Sequence, residues 1–176
     1  MIALTIQDDD GAIRHALNAL VQASANLSQP LKVIGENLKE STQQRFHDSK
    51  GPDGTPWEAN KESTIQAYIE KFHGAHTQRG GLSHYGKQVE ANKKPLIGET
   101  KRLSTEIYSE LVGDMAVQVG SPAEYAAMQQ FGGKKADYPW LWGDIPPRPF
   151  LGASADDRQM ILDVLANYLE KAVASG

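Results

Sequence analysis

The sequence predicts an α+β fold in which N-terminal helices precede a small antiparallel sheet with a central hairpin, and a C-terminal helix packs on the sheet. Apolar residues recur every three or four positions near both ends of the chain, which is the period of a helix with one buried face. Between those regions they alternate on either side of a Gly113-Asp114 turn, which is typical of paired strands. A chain of 176 residues, 40% of them hydrophobic, can bury a core, so we expect residues 1–176 to form one domain.

The N-terminal region predicts a short strand followed by two helices. Residues 2–7 alternate between apolar and less apolar side chains, which favours a strand that joins the sheet or reaches a neighbouring chain. Three aspartates at 8–10 precede the apolar stripe that begins at Ile13, and carboxylates at that place stabilise the first turn of a helix. Pro30 favours the start of a second helix, which we expect over about 30–47.

A turn and a third helix follow. Pro52-Asp53-Gly54 is typical of a tight turn, because proline and glycine supply the backbone angles that a turn requires. We expect Trp57 to pin this turn to the core, since its ring is too large an apolar group to leave in water. Apolar residues at helical spacing from Ile65 to Phe72 predict a short third helix.

The segment at about 73–95 differs from its surroundings in composition. It is polar, basic and rich in glycine, and a segment of this length with few apolar residues is typical of a mobile or functional loop. We therefore predict a flexible basic segment here. The cations that we expect it to present are Arg79, Lys87, Lys93 and Lys94.

The clearest strand pattern lies at 102–120. Apolar side chains alternate with polar ones from Leu103 to Leu111, and a second alternating run follows the turn, which predicts a hairpin. The next element is a short helix over 122–131, which two consecutive glycines end.

The last part of the chain combines a stiff connector with a long helix. Three prolines in Ile145-Pro-Pro-Arg-Pro-Phe150 exclude a central strand, so we expect an edge strand or a rigid extended connector. Ser154 and Asp157 form a capping pattern, and the apolar stripe that follows predicts the C-terminal helix.

Composition and motifs argue against catalysis. The absence of cysteine excludes a disulfide scaffold, a thiolate metal site and a cysteine nucleophile. The chain lacks the glycine-rich phosphate loops and the serine-elbow motif, and His73, His76 and His84 have no carboxylate at a ligand spacing. We therefore expect no metal, no cofactor and no enzymatic activity. No signal peptide or membrane-spanning run is present either, so we expect no membrane partner.

Nucleic-acid binding is the alternative that the sequence leaves open. The whole chain carries a net charge of −4, which gives no long-range attraction to a polyanion. Residues 71–102, by contrast, contain seven basic and two acidic side chains, a net charge of +5. A basic segment that also carries Tyr85 is suited to follow phosphates, although it equally suits contact with an acidic protein.

Five short segments form an ordered pattern along the chain. They are Gly51-Pro-Asp-Gly-Thr-Pro-Trp57, Leu96-Ile-Gly-Glu-Thr-Lys-Arg-Leu103, Val117-Gln-Val-Gly-Ser121, Tyr125-Ala-Ala-Met-Gln-Gln-Phe-Gly132 and Ile145-Pro-Pro-Arg-Pro-Phe-Leu-Gly152. This order resembles the phage virion morphogenesis, or tail-completion, family over about residues 30–172. The second segment departs from the family's usual Thr-Gly-Arg-Leu, because Lys101 stands in place of the glycine.

The resemblance implies a structural protein that completes the phage tail and joins it to the head. It implies a relation to head–tail connector and tail-terminator proteins, and therefore self-assembly into a ring and contacts with other tail or connector proteins. The expected location is the head–tail or tail-end region of the virion, after synthesis in the cytoplasm of the bacterial host.

A ring requires a contact between two different patches of neighbouring copies, and we place this contact on residues near the matching segments. We expect Trp57 and Phe131 to anchor the core. From the stiff connector we expect Arg148 to point outward and Phe150 inward, while its edge and the hairpin edge offer unpaired backbone groups to a neighbour. The interface candidates are Tyr125, Phe131, Trp140, Trp142, Arg148 and Phe150.

Overall fold

A computed structural model describes residues 11–141 and 143–175 of the chain. The helices are α1 (Gly11–Ala25), α2 (Ser28–Asp48), α3 (Glu62–Ile69), α4 (His84–Asn92), α5 (Arg102–Thr105), α6 (Ala126–Phe131) and α7 (Ala155–Ser175). The strands β1 (Tyr108–Val112) and β2 (Ala116–Gly120) pair as an antiparallel hairpin. The predicted α+β class is confirmed. The strand predicted at 2–7 and the aspartates at 8–10 lie outside the described residues.

Contacts divide the chain into two compact units. The smaller unit comprises Met1–Leu38, Ser109–Gln118 and Ala155–Gly176, and the larger unit comprises Lys39–Tyr108 and Val119–Ser154. The boundaries fall within α2, within both strands of the hairpin, and just before α7. The single domain expected over 1–176 stays a prediction.

The smaller unit is built on a helix pair and on the packing of α2 against the hairpin. The predicted C-terminal helix is present as α7. The sequence predicted that this helix packs on the sheet, but in the structure it packs mainly against α1. Tyr168 Oη donates a 3.1 Å hydrogen bond to Asn26 O at the end of α1. Gly35 lets α2 approach β2 closely, because a Cβ there would lie 2.6 Å from Val117 Cγ2. The Ser28 hydroxyl donates to Asp114 Oδ1 at 3.0 Å in the hairpin turn.

The core of the larger unit is an aromatic cluster. The ring of Phe46 lies with its centroid 5.3 Å from those of both Trp57 and Phe150, at distances typical of edge-to-face and tilted pairs. Trp57 also donates from Nε1 to Pro149 O at 2.8 Å. The predicted anchoring of the 51–57 turn by Trp57 is therefore confirmed.

The hairpin begins later than its sequence pattern predicted. Residues 102–105 form the short helix α5, and the strand starts at Tyr108 instead of at 102. Leu103 and Ile107 are both buried in the core. Residues four apart share one face of a strand and also lie close together on a helix, so this spacing did not distinguish the two structures.

Lys101, which replaces a glycine of the family pattern, has a left-handed backbone (φ 53°) just before α5. Side chains with a Cβ are disfavoured there by roughly 1–2 kcal/mol, whereas glycine adopts this conformation readily. The greater freedom of glycine in the unfolded chain offsets roughly 0.5–1 kcal/mol of this gain, so we predict that Lys101→Gly raises the free energy of unfolding by about 0.5–1 kcal/mol. Urea denaturation would measure the gain, and Lys87→Gly in α4 is a control that should lose stability. A loss of stability in Lys101→Gly would contradict the expectation.

The segment at 73–95 contains a helix, where the sequence indicated a loop. Ser83 caps α4, because its hydroxyl accepts from Gly86 N at 3.0 Å and donates to Gly74 O at 2.6 Å. Val89 of α4 is buried with Ala75 and Ile69 in a second apolar cluster. The glycine at 86 suggested a break in the helix, but it lies against the backbone of Ala75, where a Cβ would clash.

The flexibility of the 73–95 segment stays a prediction. The structure indicates which of its basic residues a protease should reach first. Arg79 lies in the exposed turn that the His76–Leu82 bridge closes, whereas Lys87 lies within α4. Proteolysis within a helix requires local unfolding, which an exposed turn does not. We expect limited trypsin digestion to cut first after Arg79, as mass spectrometry of the fragments would show. Cleavage after Lys87 at an equal rate, or equal resistance throughout the chain, would contradict this.

Candidate assembly surface

The proline-rich connector, residues 145–152, is held along its length by hydrogen bonds inside the larger unit. Ile145 and Gly133 exchange backbone hydrogen bonds of 2.8 and 2.9 Å, and Arg148 N donates to Gln129 O at 2.8 Å. Gly132 ends α6 with φ 73°, and a Cβ there would lie 2.8 Å from Ile145 O. A glycine at this position therefore allows α6 and the connector to meet.

The side-chain amide of Gln130 forms hydrogen bonds with the backbone of the connector, as a neighbouring strand would. Its Oε1 accepts from the backbone N–H groups of Phe150 (2.9 Å) and Leu151 (3.0 Å), while its Nε2 donates to Leu151 O (3.0 Å). One side chain thus satisfies three backbone groups of the connector. This role could not be predicted from the sequence, because a glutamine in a short helix usually lies in solvent.

Two buried arginines complete the attachment of the connector. Arg45 Nη1 donates to Phe150 O and Gly152 O, both at 2.8 Å. Arg148 is only 7% exposed and donates from Nε to Glu58 O (2.8 Å) and from Nη2 to Ala59 O (3.1 Å). Burial lowers the pKa of the Arg148 guanidinium below its ordinary value. The expectation that Arg148 points outward is therefore wrong. The prolines stiffen the connector, but the guanidinium turns inward because the carbonyl oxygens of Glu58 and Ala59 accept its hydrogen bonds.

These bonds change the expected role of the connector in assembly. Its backbone groups at Ile145, Arg148, Phe150 and Leu151 are already paired within the subunit, so the edge does not offer them to a neighbour. Phe150 is 0% exposed, as its predicted inward direction requires. The interior positions of Arg148 and Phe150 leave both out of the contact surface that we propose below.

Exposed rings next to the connector form an aromatic patch, which consists of Phe131, Tyr138 and Trp140. Phe131 is 77% exposed, so its expected place in the core is wrong, and Trp140 is 75% exposed. The rings of Tyr138 and Trp140 pack edge to face at 5.5 Å. A groove of about 710 Å³ runs between Phe131, Tyr138 and the prolines of the connector. Trp142 lies outside the described residues.

The loop that carries Tyr138 and Trp140 is folded on itself. Lys135 N donates to Asp144 Oδ1 at 2.8 Å, and Tyr138 N donates to Lys134 O at 3.0 Å. The bridge between Gly133 and Ile145 closes its base. A loop that is already ordered loses little conformational entropy when a partner binds.

Tyr125 lies at a separate feature of the larger unit, which we name the cationic cleft. It is half-exposed and borders an open cavity of about 460 Å³. The charged residues that line this cleft are Lys61, Lys93, Arg102, Arg148 and Asp144.

The basic residues of the 73–95 segment divide into two groups. Lys93 and Lys94 are half-buried, and their Nζ atoms donate to the carbonyl oxygens of Ile97 and, at 2.7 Å, of His47. Arg79 and Lys87 are exposed. Two of the four expected cations are thus engaged in holding the larger unit together.

The engagement of Lys93 and Lys94 within the larger unit predicts weak binding to DNA. Few cations remain for phosphates, and the whole chain is acidic, so we expect no tight binding of duplex DNA at about 0.15 M salt. A salt titration followed by fluorescence anisotropy would measure it. Tight binding with a steep dependence on salt would instead favour the nucleic-acid alternative.

The smaller unit carries an apolar face on its helix pair. Leu17 and Val21 of α1 and Leu162 and Val173 of α7 are exposed, although their spacing is that of a buried stripe. An apolar groove of about 340 Å³ lies between the two helices, next to Val173. An apolar stripe that the described residues of its unit leave exposed is typical of a surface that meets another protein.

Two further kinds of site are absent from residues 11–141 and 143–175. Neither a helix long and apolar enough to cross a membrane nor a cluster of three or more metal-ligating side chains was found in these residues.

Comparison with known proteins identifies relatives in phage assembly. "Tail completion protein S" of Escherichia phage P2 is 25% identical over 146 residues, which cover 78% of this chain and 81% of that protein. "Putative capsid assembly protein G" of Escherichia phage Mu is 29% identical over 171 residues, which cover 97% and 96%. No solved structure matches the chain significantly. The sequence model of the phage virion morphogenesis family matches residues 8–170, and the chain therefore belongs to this family of structural phage-assembly proteins.

Proposed function

We propose that this chain is a non-enzymatic subunit that completes the phage tail or joins it to the head, and that its copies assemble into a ring. The proposed partners are other copies of the chain and neighbouring tail or connector proteins. The proposed location is the head–tail or tail-end region of the virion, with assembly in the host cytoplasm. The family supports the structural role, and the names of the P2 and Mu relatives support tail completion and particle assembly.

The aromatic patch is the observation that best supports self-assembly. Large aromatic side chains are enriched at the centres of protein interfaces, because they bury much area at a low cost in side-chain entropy. Phe131, at the end of α6, and Trp140, in the loop that the Lys135–Asp144 hydrogen bond closes, are both mostly exposed, so a partner could bury them without exposing other apolar groups.

The apolar face of the smaller unit supplies a second, different surface. A ring is built from heterologous contacts, in which one patch of a subunit meets a different patch of the next copy. We propose that the aromatic patch of one copy packs on the exposed α1–α7 stripe of its neighbour, which includes Leu17, Val21 and Leu162.

The absence of catalysis in this proposal rests on how the buried cations are used. Arg45 and Arg148 donate to backbone carbonyls that hold the connector, so both have structural partners.

The double variant Phe131→Ala, Trp140→Ala tests the ring. Because both rings are exposed, we expect thermal unfolding of the isolated subunit to be almost unchanged, while light scattering shows loss of the oligomer. Tyr85→Ala is a matched control, since Tyr85 is an exposed aromatic residue on α4 and should leave assembly intact.

A phage that lacks this protein provides the functional readout. We expect the double variant to leave heads and tails unjoined and the Tyr85→Ala control to restore infectious particles. Normal assembly and normal particle yield in the folded double variant would contradict the proposed interface. A wild-type chain that stays monomeric both alone and with purified tails would contradict the ring itself.

A further inference from the structure

The outer edges of the hairpin are unpaired among the residues that the structure describes. The described sheet contains only β1 and β2, and no backbone hydrogen bond joins 109–112 or 116–118 to another described element. In an antiparallel pair, alternate residues direct their N–H and C=O groups away from the partner strand, so each outer edge presents a row of donors and acceptors. The connector differs, because its corresponding groups are already bonded within the larger unit.

These edges lack the features that usually keep strands of different molecules apart. Natural edge strands are protected by proline, lysine, a bulge or a covering element, and residues 109–118 contain neither proline nor lysine. Gln118 Nε2 donates to Glu110 Oε2 at 3.3 Å, so these residues lie opposite each other at the centres of two strands of five residues. Val112 therefore lies opposite Ala116 in a regular ladder. An unprotected edge of this kind is a template for another strand.

One face of the hairpin is held by α2, which leaves the edges as the directions in which the sheet can grow. Val117 packs against α2 next to Gly35, and the Ser109 hydroxyl donates to Glu36 Oε1. Asp114 in the turn accepts two hydrogen bonds from the chain at the start of α2. A two-stranded hairpin is marginally stable by itself, whereas one that a helix holds in shape offers a preformed edge to a partner strand.

We propose that the outer edge of β2 in one copy pairs with the outer edge of β1 in the next, so that the hairpins form one continuous antiparallel sheet. This inference deepens the proposed function and rests on it, because it assigns a second contact between copies of the ring. A β1 strand that repeats the orientation of its neighbour runs antiparallel to β2, as it does within each hairpin. Main-chain hydrogen bonds supply the affinity, as they do when a peptide adds a strand to a sheet edge.

Charge and symmetry favour this pairing over a two-fold one. Two copies of β1 that pair about their central residue bring two Glu110 carboxylates opposite each other, and like charges in that arrangement are destabilising. Two copies of β2 pair without this repulsion, but they leave both β1 edges open. Pairing of β2 with β1 of the next copy puts Gln118 opposite Glu110, the combination that each hairpin already contains, and a closed ring leaves no edge unpaired.

Cysteine cross-linking between two full-length variants tests the pairing and its direction. The chain has no cysteine, so Val112→Cys in one preparation and Ala116→Cys in another each introduce a single thiol at an exposed position. Directly opposite residues of paired strands have Cβ atoms about 4.5–5.5 Å apart, which a short bifunctional thiol reagent spans. We expect at least about tenfold more covalent dimer from the mixed variants than from either variant alone.

A mixture of Arg79→Cys with Ala116→Cys is the control for random collision, because Arg79 is exposed and lies outside the hairpin. Hydrogen exchange followed by mass spectrometry is a second readout, which needs no substitution. We expect the hairpin amides to exchange at least about tenfold more slowly in the wild-type ring than in the monomer.

The two readouts separate the pairing from the ring. If a ring forms but the mixed hairpin variants yield no more dimer than the control, and the hairpin amides exchange as in the monomer, the pairing is overturned while the ring stands. If the substitutions themselves prevent assembly, exchange in the wild type decides in the same way. Specific cross-linking without a ring supports the pairing and contradicts the ring, and the absence of both overturns both.

Discussion

Replacement of Arg148 by glutamate is expected to destabilise the larger unit strongly rather than merely to block assembly. The guanidinium donates to Glu58 O and Ala59 O in a buried position, and a carboxylate there would face two acceptors without a donor. Removal of one partner from a buried charged network costs about 3–5 kcal/mol, a large fraction of the roughly 5–15 kcal/mol that stabilises a typical protein.

Thermal unfolding followed by circular dichroism would measure this effect. At roughly 2–4 °C per kcal/mol for a chain of this size, we expect the Tm to fall by about 6–20 °C. Arg79→Glu is the control, because Arg79 is exposed and the same charge reversal should change the Tm by no more than about 2 °C. A stable Arg148→Glu variant that fails only to assemble would restore the interface role that the sequence suggested.

Replacement of Phe150 by alanine is expected to destabilise the larger unit by about 3–5 kcal/mol. The Phe150 ring is completely buried against Phe46, so its removal leaves a cavity in the aromatic core. Urea denaturation would measure the loss. Trp140→Ala removes a larger ring from an exposed position and should cost less than about 0.5 kcal/mol. Equal stability of the two variants would show that Phe150 is not a core residue.

The sequence predicted the elements whose pattern is local. The helices now seen as α2, α3 and α7 follow from apolar stripes, a proline start and a capping pattern, and the hairpin follows from alternation about a glycine turn. Trp57 was correctly placed in the core, because a large ring after a tight turn has few other ways to leave water.

The sequence could not predict which long-range partners the connector has. Arg148 was expected to point outward from the proline-stiffened connector, yet its acceptors are carbonyls some 90 residues away in the sequence. Phe131 was expected to anchor the core, whereas it ends α6 on the exposed side of that helix, which a six-residue helix does not reveal from its sequence alone. Helix α4 was missed because Gly86 looks like a break until Ala75 is seen packed against it.

The distant partners of the connector also bear on when the larger unit can fold. Bonds to Arg45, Trp57 and Glu58 close loops of 105, 92 and 90 residues. A growing chain cannot form them until synthesis has passed the connector, and contacts of such high sequence separation are slow to form because loop closure costs entropy. The core around Phe46 therefore stays open during most of translation. A growing chain that has not yet reached the connector lacks the closed unit that carries the aromatic patch, so the order of synthesis delays assembly through this patch until the connector has been made.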